Sequence, residues 1–422
     1  MRAHTARLIR ITAGGTAARA AGAAAVLLAA LGAVAVARFG ATMRAPDVGS
    51  VADAFPPGTF ARNLDYRHGT WTLAALGTLL APAGALALAL TSRRWAPGLV
   101  ARVGASPWRL GAAFGVGLTL VNVAIGLPLR AAGYGWGRHF GLITQPAPSW
   151  ALDVAKASGV SALIAAATGA VAAVAIARRP RSWWAWLAAT GAALVVLGSL
   201  VAPVVIEPLF QRTRPLNDAA MVRDIRDIAA REGVDARTVL VNDASARTST
   251  ANAYVSGFGA SRRIVLYDTL LRDYPPDQVR MVVAHEVAHV ARRHVPWGTA
   301  LGALAVVPVC LIAFAVVTRL TGEGPGDAVV VVRRLSQVAA VVAVLGVVAT
   351  PLSNAVSRAM EREADDTALS VTRDPAAAEG LFRGFVTGSL AVPEPPAWVN
   401  VWFGTHPTLG ERIATARAWR RG

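Results

Sequence analysis

Long apolar stretches alternate with short polar connections along most of the chain. Seven of these stretches approach the roughly 20 residues that an α-helix needs to cross a bilayer. They run from about Ala20 to Ala37, Trp71 to Thr91, Leu110 to Leu129, Ala157 to Ala177, Trp183 to Val205, Trp297 to Val317 and Val329 to Thr350. The pattern predicts a mostly α-helical, polytopic membrane protein with about seven transmembrane helices.

The first apolar stretch could be a secretory signal or a membrane anchor. It is longer than the apolar core of an ordinary signal peptide, and Arg19 stands directly against its start. We therefore expect a retained anchor.

Two polar stretches interrupt the membrane pattern. The first, from Glu207 to Arg293, lies between the fifth and sixth apolar stretches, and the second runs from Ser353 to Gly422. Periodicity within the first polar stretch predicts a helix at 217–232 and a strand at 238–241. It also predicts a β-pair, at 252–258 and 263–267, joined by a Gly-Ala-Ser turn. One helix is expected from Pro275 to His294, with Pro296 beyond its end. If the two polar stretches form one site, the pair of apolar helices between them must bring them together.

Composition excludes several other classes of protein. Hydrophobic residues make up 54% of the chain and charged residues 16%, against about 25% charged in ordinary globular proteins, which argues against a soluble or a disordered chain. The single cysteine, Cys310, excludes a disulfide framework. The formal net charge of +17 suits anionic lipid headgroups. Because the chain contains no recognised nucleic-acid module, we expect no nucleic-acid partner.

The predicted helix from Pro275 to His294 contains the sequence His-Glu-Val-Ala-His at 285–289. Residues four apart share a helix face, so His285 and His289 can bind one metal ion while Glu286 points at a water beside it. Zinc is commonly held by imidazole and carboxylate ligands, and Glu286 can accept a proton from the activated water and pass it to a leaving amine. Leaving these three side chains among alanines and valines without a partner would be costly.

A third protein ligand is expected from the segment that follows the seventh apolar stretch. In the helical pattern of 357–365, Glu361 and Asp365 are one turn apart on one face, whereas Glu363 points away. Taken alone, this segment would be a solvated helix face with ion pairs to Arg358 and Arg362. Beside the two histidines, Glu361 becomes the expected third ligand and Asp365 an acceptor for the second ring nitrogen of a ligating histidine.

Several segments resemble the integral-membrane zinc endopeptidases of the gluzincin group that include the type I CAAX prenyl proteases. The matching segments are VIEPLFQRTRPL at 205–216, NAYVSGFGASRRIVLYDTLL at 252–271, VVAHEVAHVARRH at 282–294, SRAMEREADDTA at 357–368 and THPTLGERI at 405–413, with a looser match at GRHFGLITQ, 137–145. The resemblance implies a zincin-like α+β domain and one zinc ion per chain, bound by His285, His289 and Glu361. It also implies that Glu286 is the catalytic base and that the membrane helices surround a chamber in which peptide is cut.

The resemblance implies two further sets of site residues. An extended edge at Asn252, Ala253 and Tyr254 would lie near the zinc, where a substrate backbone can add as a strand. His406 and Arg412 look like the family pair near the metal, and a donor there could stabilise the oxyanion of the reaction. The alternatives are an ordinary buried strand, and a helix start carrying surface charges.

These patterns divide the chain into four parts. The predicted parts are an N-terminal membrane domain at 1–204 with about five transmembrane helices, the first part of the metalloprotease domain at 205–296, two transmembrane helices at 297–352, and the second part of the metalloprotease domain at 353–422. The expected partners are the lipid bilayer and a peptide or protein substrate, including membrane-associated ones. The arginine-rich, almost lysine-free composition suggests a bacterium, hence a multi-pass protein of its plasma membrane.

Two alternative functions and the membrane orientation stay open at this point. The apolar run around His285 is too short for an intramembrane protease whose motif lies within a membrane span. A membrane zinc protein that acts as a proteolytically silent scaffold or chaperone partner would lack a catalytic part, whereas Glu286 and the whole ligand set are present. The excess of arginine on the N-terminal side places the zinc domain outside the cytoplasm, whereas the eukaryotic relatives suggest a site on the cytosolic side.

Overall fold

The computed structural model describes residues 2–43, 51, 55–56, 58–236, 238–257, 262–322 and 324–421, with side chains described from residue 15 to residue 420. The first group of helices is α1 (Arg2–Met43), α2 (Thr59–Val103), α3 (Pro107–His139), α4 (Ala147–Arg178) and α5 (Trp183–Val201). The segment from 213 to 291 contains β1 (Thr213–Pro215), α6 (Ala219–Arg231), β2 (Thr238–Asn242), β3 (Ala253–Ser256), β4 (Arg263–Tyr267), α7 (Asp268–Asp273) and α8 (Pro276–Ala291). The remaining helices are α9 (His294–Thr321), α10 (Ala328–Thr372), α11 (Pro375–Gly388), α12 (Ala397–Phe403) and α13 (Leu409–Arg421).

Within this described part of the chain, seven helices are long and apolar enough to cross a membrane, namely α1 to α5, α9 and α10. Contacts between neighbours follow the order α1, α9, α5, α4, α3, α2, α10 and back to α1, so the helices form a closed ring. The expected number of spans is therefore confirmed, and the first apolar stretch is one of them.

Small residues allow the closest contact in the ring, between α3 and α4. A Cβ added to Gly111 would lie 2.0 Å from the carbonyl oxygen of Gly169, and one added to Gly115 would lie 2.0 Å from that of Ala165. Because lipid supplies no hydrophobic driving force between helices, such close backbone packing is a main source of helix association in membranes.

One end of the ring is filled by an apolar cluster. Phe114, Ile176, Trp183, Phe314 and Leu335 are buried there and pack together, from the start of α3, the end of α4, the start of α5, the end of α9 and the start of α10. Since α9 begins next to α8, this cluster lies at the end of the ring that is distant from the two histidines of α8.

A mixed four-stranded sheet in the described part of the chain stands beside α8, with the strand order β1-β2-β4-β3. Strand β2 pairs in parallel with β4, and β3 pairs antiparallel with β4, with Ala253 opposite Leu266. The β-pair expected from the sequence is therefore present, whereas its Gly-Ala-Ser turn lies outside the described residues. The strand β3 is at the edge of the sheet, as expected.

The chain between the sheet and the membrane differs from the prediction in one place. The expected single helix from Pro275 to His294 is wrong, because α8 ends at Ala291 and a new helix starts at His294. Arg293 lies in the left-handed region with φ 57°, which turns the backbone sharply between the two helices. Pro296 therefore belongs to the first turn of α9, where a missing N–H costs nothing.

The last membrane helix continues without interruption into the second polar stretch. Helix α10 is 45 residues long and continues through Pro351. Because it extends from Ala328 to Thr372, the predicted domain boundary between 352 and 353 falls inside it. Membrane span and ligand-bearing segment are thus one helix.

Candidate metal centre and active site

Apolar packing fixes the orientation of α8. Val279, Val283 and Val287 are buried in the core formed with the sheet. Their spacing leaves the opposite face of α8 toward α10, and His285 and His289, four residues apart, share that face.

The three expected metal ligands meet at one point between α8 and α10. Ligand atoms of His285, His289 and Glu361 all lie within 4.8 Å of one another. Glu361 Oε2 is 3.1 Å from His285 Nε2, and Glu361 Oε1 is 3.5 Å from His289 Nε2. Two imidazoles and one carboxylate converging in this way are a usual ligand set for catalytic zinc.

The surroundings of Glu361 fit a cation. This side chain is buried at 8% exposure, and its Oε2 atom makes no well-directed hydrogen bond with any described residue. A buried carboxylate is costly unless a charge or a donor compensates it, and a metal ion between the two imidazoles would do so.

Glu286 lies in the same cavity as His285, next to the ligand set. The cavity is lined on its polar side by Asn252, His285, Glu286, His406 and Arg412. Burial raises the pKa of Glu286 above its ordinary value, against the opposing effect of the two histidines. A carboxylate whose pKa moves toward neutrality is a better general base at neutral pH.

The second ring nitrogen of His285 faces Asp365. Nδ1 of His285 lies 2.9 Å from Asp365 Oδ1, and Arg412 holds the same carboxylate through two hydrogen bonds, from Nε at 2.8 Å and from Nη2 at 2.6 Å. Asp365 thus stands where an acceptor was expected. The Arg412 guanidinium is directed at Asp365, so its placement favours holding this carboxylate over direct contact with an oxyanion.

The second ring nitrogen of His289 faces a residue to which sequence reasoning gives no role. His289 Nδ1 lies 2.8 Å from His294 Nδ1, and His294 is buried at 3% exposure. The turn at Arg293 brings this imidazole back over α8. The signal in the sequence is Pro296, since proline in a first turn marks the start of a new helix near 294.

His406 lies at the open side of the metal centre. Its Nε2 is 3.4 Å from Glu361 Oε2, its Nδ1 is hydrogen-bonded to Thr405 Oγ1, and 57% of its side chain is exposed. Desolvation by the surrounding protein lowers the pKa of His406, although the negative charge of Glu361 acts in the opposite direction. The lowered pKa favours a neutral ring that can donate one N–H. Its role toward an oxyanion stays a prediction.

The expected substrate-binding strand lies beside this centre, but its three residues differ in position. Asn252 is exposed and lines the cavity, whereas Ala253 is buried in the core at 2% exposure, so only the backbone of Ala253 can meet a substrate. Tyr254 is half-buried, and its hydroxyl donates to Glu207. Burial, together with this bond, raises the pKa of Tyr254 far above the ordinary tyrosine value.

The inner wall of the cavity is apolar. Met281, Val282, Leu369, Leu381 and Phe382 line it next to the metal ligands. Such a wall fits an apolar side chain of a peptide whose backbone lies along β3.

The ring of membrane helices, the helix-borne histidine pair and the carboxylate from a later helix define the class of an integral-membrane metallopeptidase. Comparison with known proteins supports the same class. The family model described as peptidase family M48 matches residues 215–420, and the model described as "CAAX prenyl protease N-terminal, five membrane helices" matches residues 44–212. The chain belongs to peptidase family M48, a family of metalloproteases.

Individual relatives are consistent with this assignment. The chain is 31% identical over 309 residues to the protein described as uncharacterized metalloprotease YhfN of Bacillus subtilis, covering 71% of each chain. It is 29% identical over 230 residues to CAAX prenyl protease 1 homolog of Oryza sativa, covering 53% of each chain. The crystal structure of S. mikatae Ste24p superposes with a TM-score of 0.68 over 97% of this chain and 98% of that one, at 17% identity, which establishes the fold. No comparison favours the silent scaffold.

Proposed function

We propose that the chain is a zinc-dependent endopeptidase of the bacterial plasma membrane, with one zinc ion held by His285, His289 and Glu361. The convergence of these ligand atoms within 4.8 Å, with Glu286 beside them, carries the proposal. The relatives named as CAAX prenyl proteases support peptide hydrolysis, and the relative from Bacillus subtilis supports a bacterial setting.

Each part of the site has a step in this reaction. A zinc ion held by His285, His289 and Glu361 would supply Lewis acidity for activating water and polarising the scissile carbonyl. Glu286 accepts the proton of the attacking water and returns it to the leaving amine. The N–H of His406 donates to the developing oxyanion, while the backbone of β3 pairs with the substrate strand and holds the scissile bond in place.

The substrate class we propose is membrane-associated protein or short hydrophobic peptide, including damaged membrane proteins. The apolar wall beside the metal ligands favours an apolar side chain next to the scissile bond, and a site attached to a ring of membrane helices is close to such substrates. Peptides recovered from membranes that contain wild-type protein should differ from those recovered with Glu286→Gln. If the two sets of peptides are the same, this substrate class is wrong.

The decisive test is hydrolysis of a casein-like peptide by the full chain purified in detergent. We expect cleavage that is lost with a chelator, restored by zinc, and reduced about 10²- to 10⁴-fold in Glu286→Gln, the usual contribution of a general base. Glu379→Gln is the matched control, because Glu379 forms an ion pair with Arg417 and does not line the cavity. Undiminished cleavage by Glu286→Gln would contradict the proposal.

A further inference from the structure

The two metal-binding imidazoles are held in different ways. The outer nitrogen of His285 faces Asp365, which Arg412 fixes, so this support lies wholly among residues of the second polar stretch. The outer nitrogen of His289 faces His294 instead, and the contacts continue from there to a different part of the molecule.

A continuous series of polar contacts joins His289 to the first membrane helix. His294 Nδ1 is 2.8 Å from His289 Nδ1, and His294 Nε2 is 3.2 Å from Glu363 Oε2. Arg38, near the end of α1, then donates to both oxygens of Glu363, from Nη1 at 3.0 Å and from Nη2 at 3.3 Å.

The ring nitrogens allow only one useful arrangement of protons along this series. If His289 binds the metal through Nε2, its Nδ1 carries a hydrogen, so His294 must accept with a bare Nδ1. A neutral His294 then carries its hydrogen on Nε2 and donates it to Glu363. The carboxylate therefore selects the tautomer of His294 that orients His289, and Arg38 keeps that carboxylate charged and in place.

The end of α1 is fastened to the same region by further contacts. Phe39 is buried at 1% exposure and packs edge-on against His294, with ring centroids 6.4 Å apart. Arg362, on the ligand helix α10, donates to the carbonyl oxygen of Thr42 at 3.0 Å. Arg38 precedes the residues that either family model matches, so the family comparison assigns it no role.

We propose that Arg38, Glu363 and His294 are positioning residues that orient His289 for metal binding, so that the first membrane helix helps to set the metal affinity of the active site. This inference rests on the proposed zinc-dependent function. A merely structural ion pair would stabilise the contact between α1 and α10 without changing how the metal is bound.

The test measures zinc affinity directly, by competition with a chromogenic chelator, in full chain carrying Glu286→Gln so that no proteolysis intervenes. We expect Arg38→Gln and Glu363→Gln to bind zinc about 10- to 100-fold more weakly, the usual effect of losing a partner of a ligating histidine. His294→Phe keeps the ring but removes both contacts and should weaken binding most. Glu379→Gln removes an ion pair with Arg417 in which neither residue lines the cavity, and it should bind zinc as the parent does.

Rescue and spectroscopy separate positioning from stability. Arg38→Lys keeps the charge beside Glu363, and His294→Gln keeps one acceptor and one donor, so both should recover part of the affinity. The absorption of bound Co²⁺ should change in His294→Phe and not in Glu379→Gln, because the spectrum reports the geometry of the ligands. If His294→Phe does not fold, Arg38→Gln carries the test, since its side chain is 26% exposed and leaves no buried gap.

Failure of the proposed function and failure of the positioning role give different results in this test. If the parent with Glu286→Gln binds no zinc, the proposed function is wrong. If the parent binds zinc and both Arg38→Gln and Glu363→Gln bind it equally tightly, the positioning role is overturned and the proposed function stands.

Discussion

Replacing Arg412 with leucine tests how the site holds its second carboxylate. The guanidinium makes hydrogen bonds of 2.6 and 2.8 Å to Asp365, and both side chains are about nine-tenths buried, at 9% and 10% exposure. Arg412→Leu would leave this carboxylate buried without its cation. The acceptor that faces His285 Nδ1 at 2.9 Å would then be lost or misplaced.

The expected size of the effect follows from these contacts. Removing one partner of a buried ion pair costs about 3–5 kcal/mol of unfolding free energy, because the remaining charge is uncompensated. Losing the orienting partner of a ligating histidine weakens metal binding about 10- to 100-fold, or about 1.4–2.8 kcal/mol. Arg412→Leu should therefore lower both thermal stability and zinc affinity.

The assay combines thermal unfolding in detergent with zinc competition for Arg412→Leu, for Asp365→Asn and for the double variant. The double variant leaves no unpaired charge, and the amide oxygen that replaces the carboxylate still faces His285, so it should recover part of the stability that Arg412→Leu loses. The reasoning is refuted if Arg412→Leu keeps its stability and zinc affinity while kcat alone falls. That result would place the guanidinium on the substrate instead.

Three further predictions concern the base, the helix ring and the apolar wall. Burial raises the pKa of Glu286, and the base acts only when it is deprotonated, so activity should fall as pH drops through a value above the ordinary glutamate pKa of 4.5. A profile of kcat/KM against pH whose acid limb lies at that ordinary value would contradict this expectation. In Gly111→Ala the new Cβ would lie 2.0 Å from a backbone oxygen, and because such overpacking costs about 1–3 kcal/mol, the unfolding temperature should fall. Gly117→Ala is the control and should leave the unfolding temperature unchanged, because its Cβ would have nothing within 4 Å. Leu381→Ala should shift the ratio of kcat/KM values toward peptides with larger apolar side chains, measured on a peptide series, and an unchanged ratio would place the substrate side chain elsewhere.

The sequence predicts those parts of the molecule that depend on a local pattern, such as the length of an apolar run or the spacing of side chains along one helix. Apolar runs of sufficient length predict the seven spans, and the interval of four residues predicts that His285 and His289 share a face. Glu361 is predictable because it shares a helix face with Asp365, one turn away, in the polar segment after the last span, whereas Glu363 points away. The order of the helices in the ring is not predictable, since it depends on close contacts such as that between Gly111 and Gly169, which a hydropathy pattern does not reveal.

The support of His289 cannot be read from the sequence for a different physical reason. It requires a non-glycine residue, Arg293, in the left-handed region, which a helical pattern does not predict. It also requires Arg38 to meet Glu363, a partner 325 positions away, and no local rule relates two such residues. The proline at 296 is the one local signal, and it is equally consistent with the end of a preceding helix.

The helix pair α9–α10 explains how two polar stretches separated by membrane spans form one site. At 1.5 Å per residue, α9 with its 28 residues runs about 42 Å away from α8. The chain then turns, and α10 runs back for about 51 Å before it reaches Glu361. The return is longer than the outward run by about 9 Å, or less than two turns, so Glu361 passes the start of α9 and arrives beside the preceding helix α8, level with its histidines. The span that anchors the protein therefore also fixes the height at which the third ligand meets the other two.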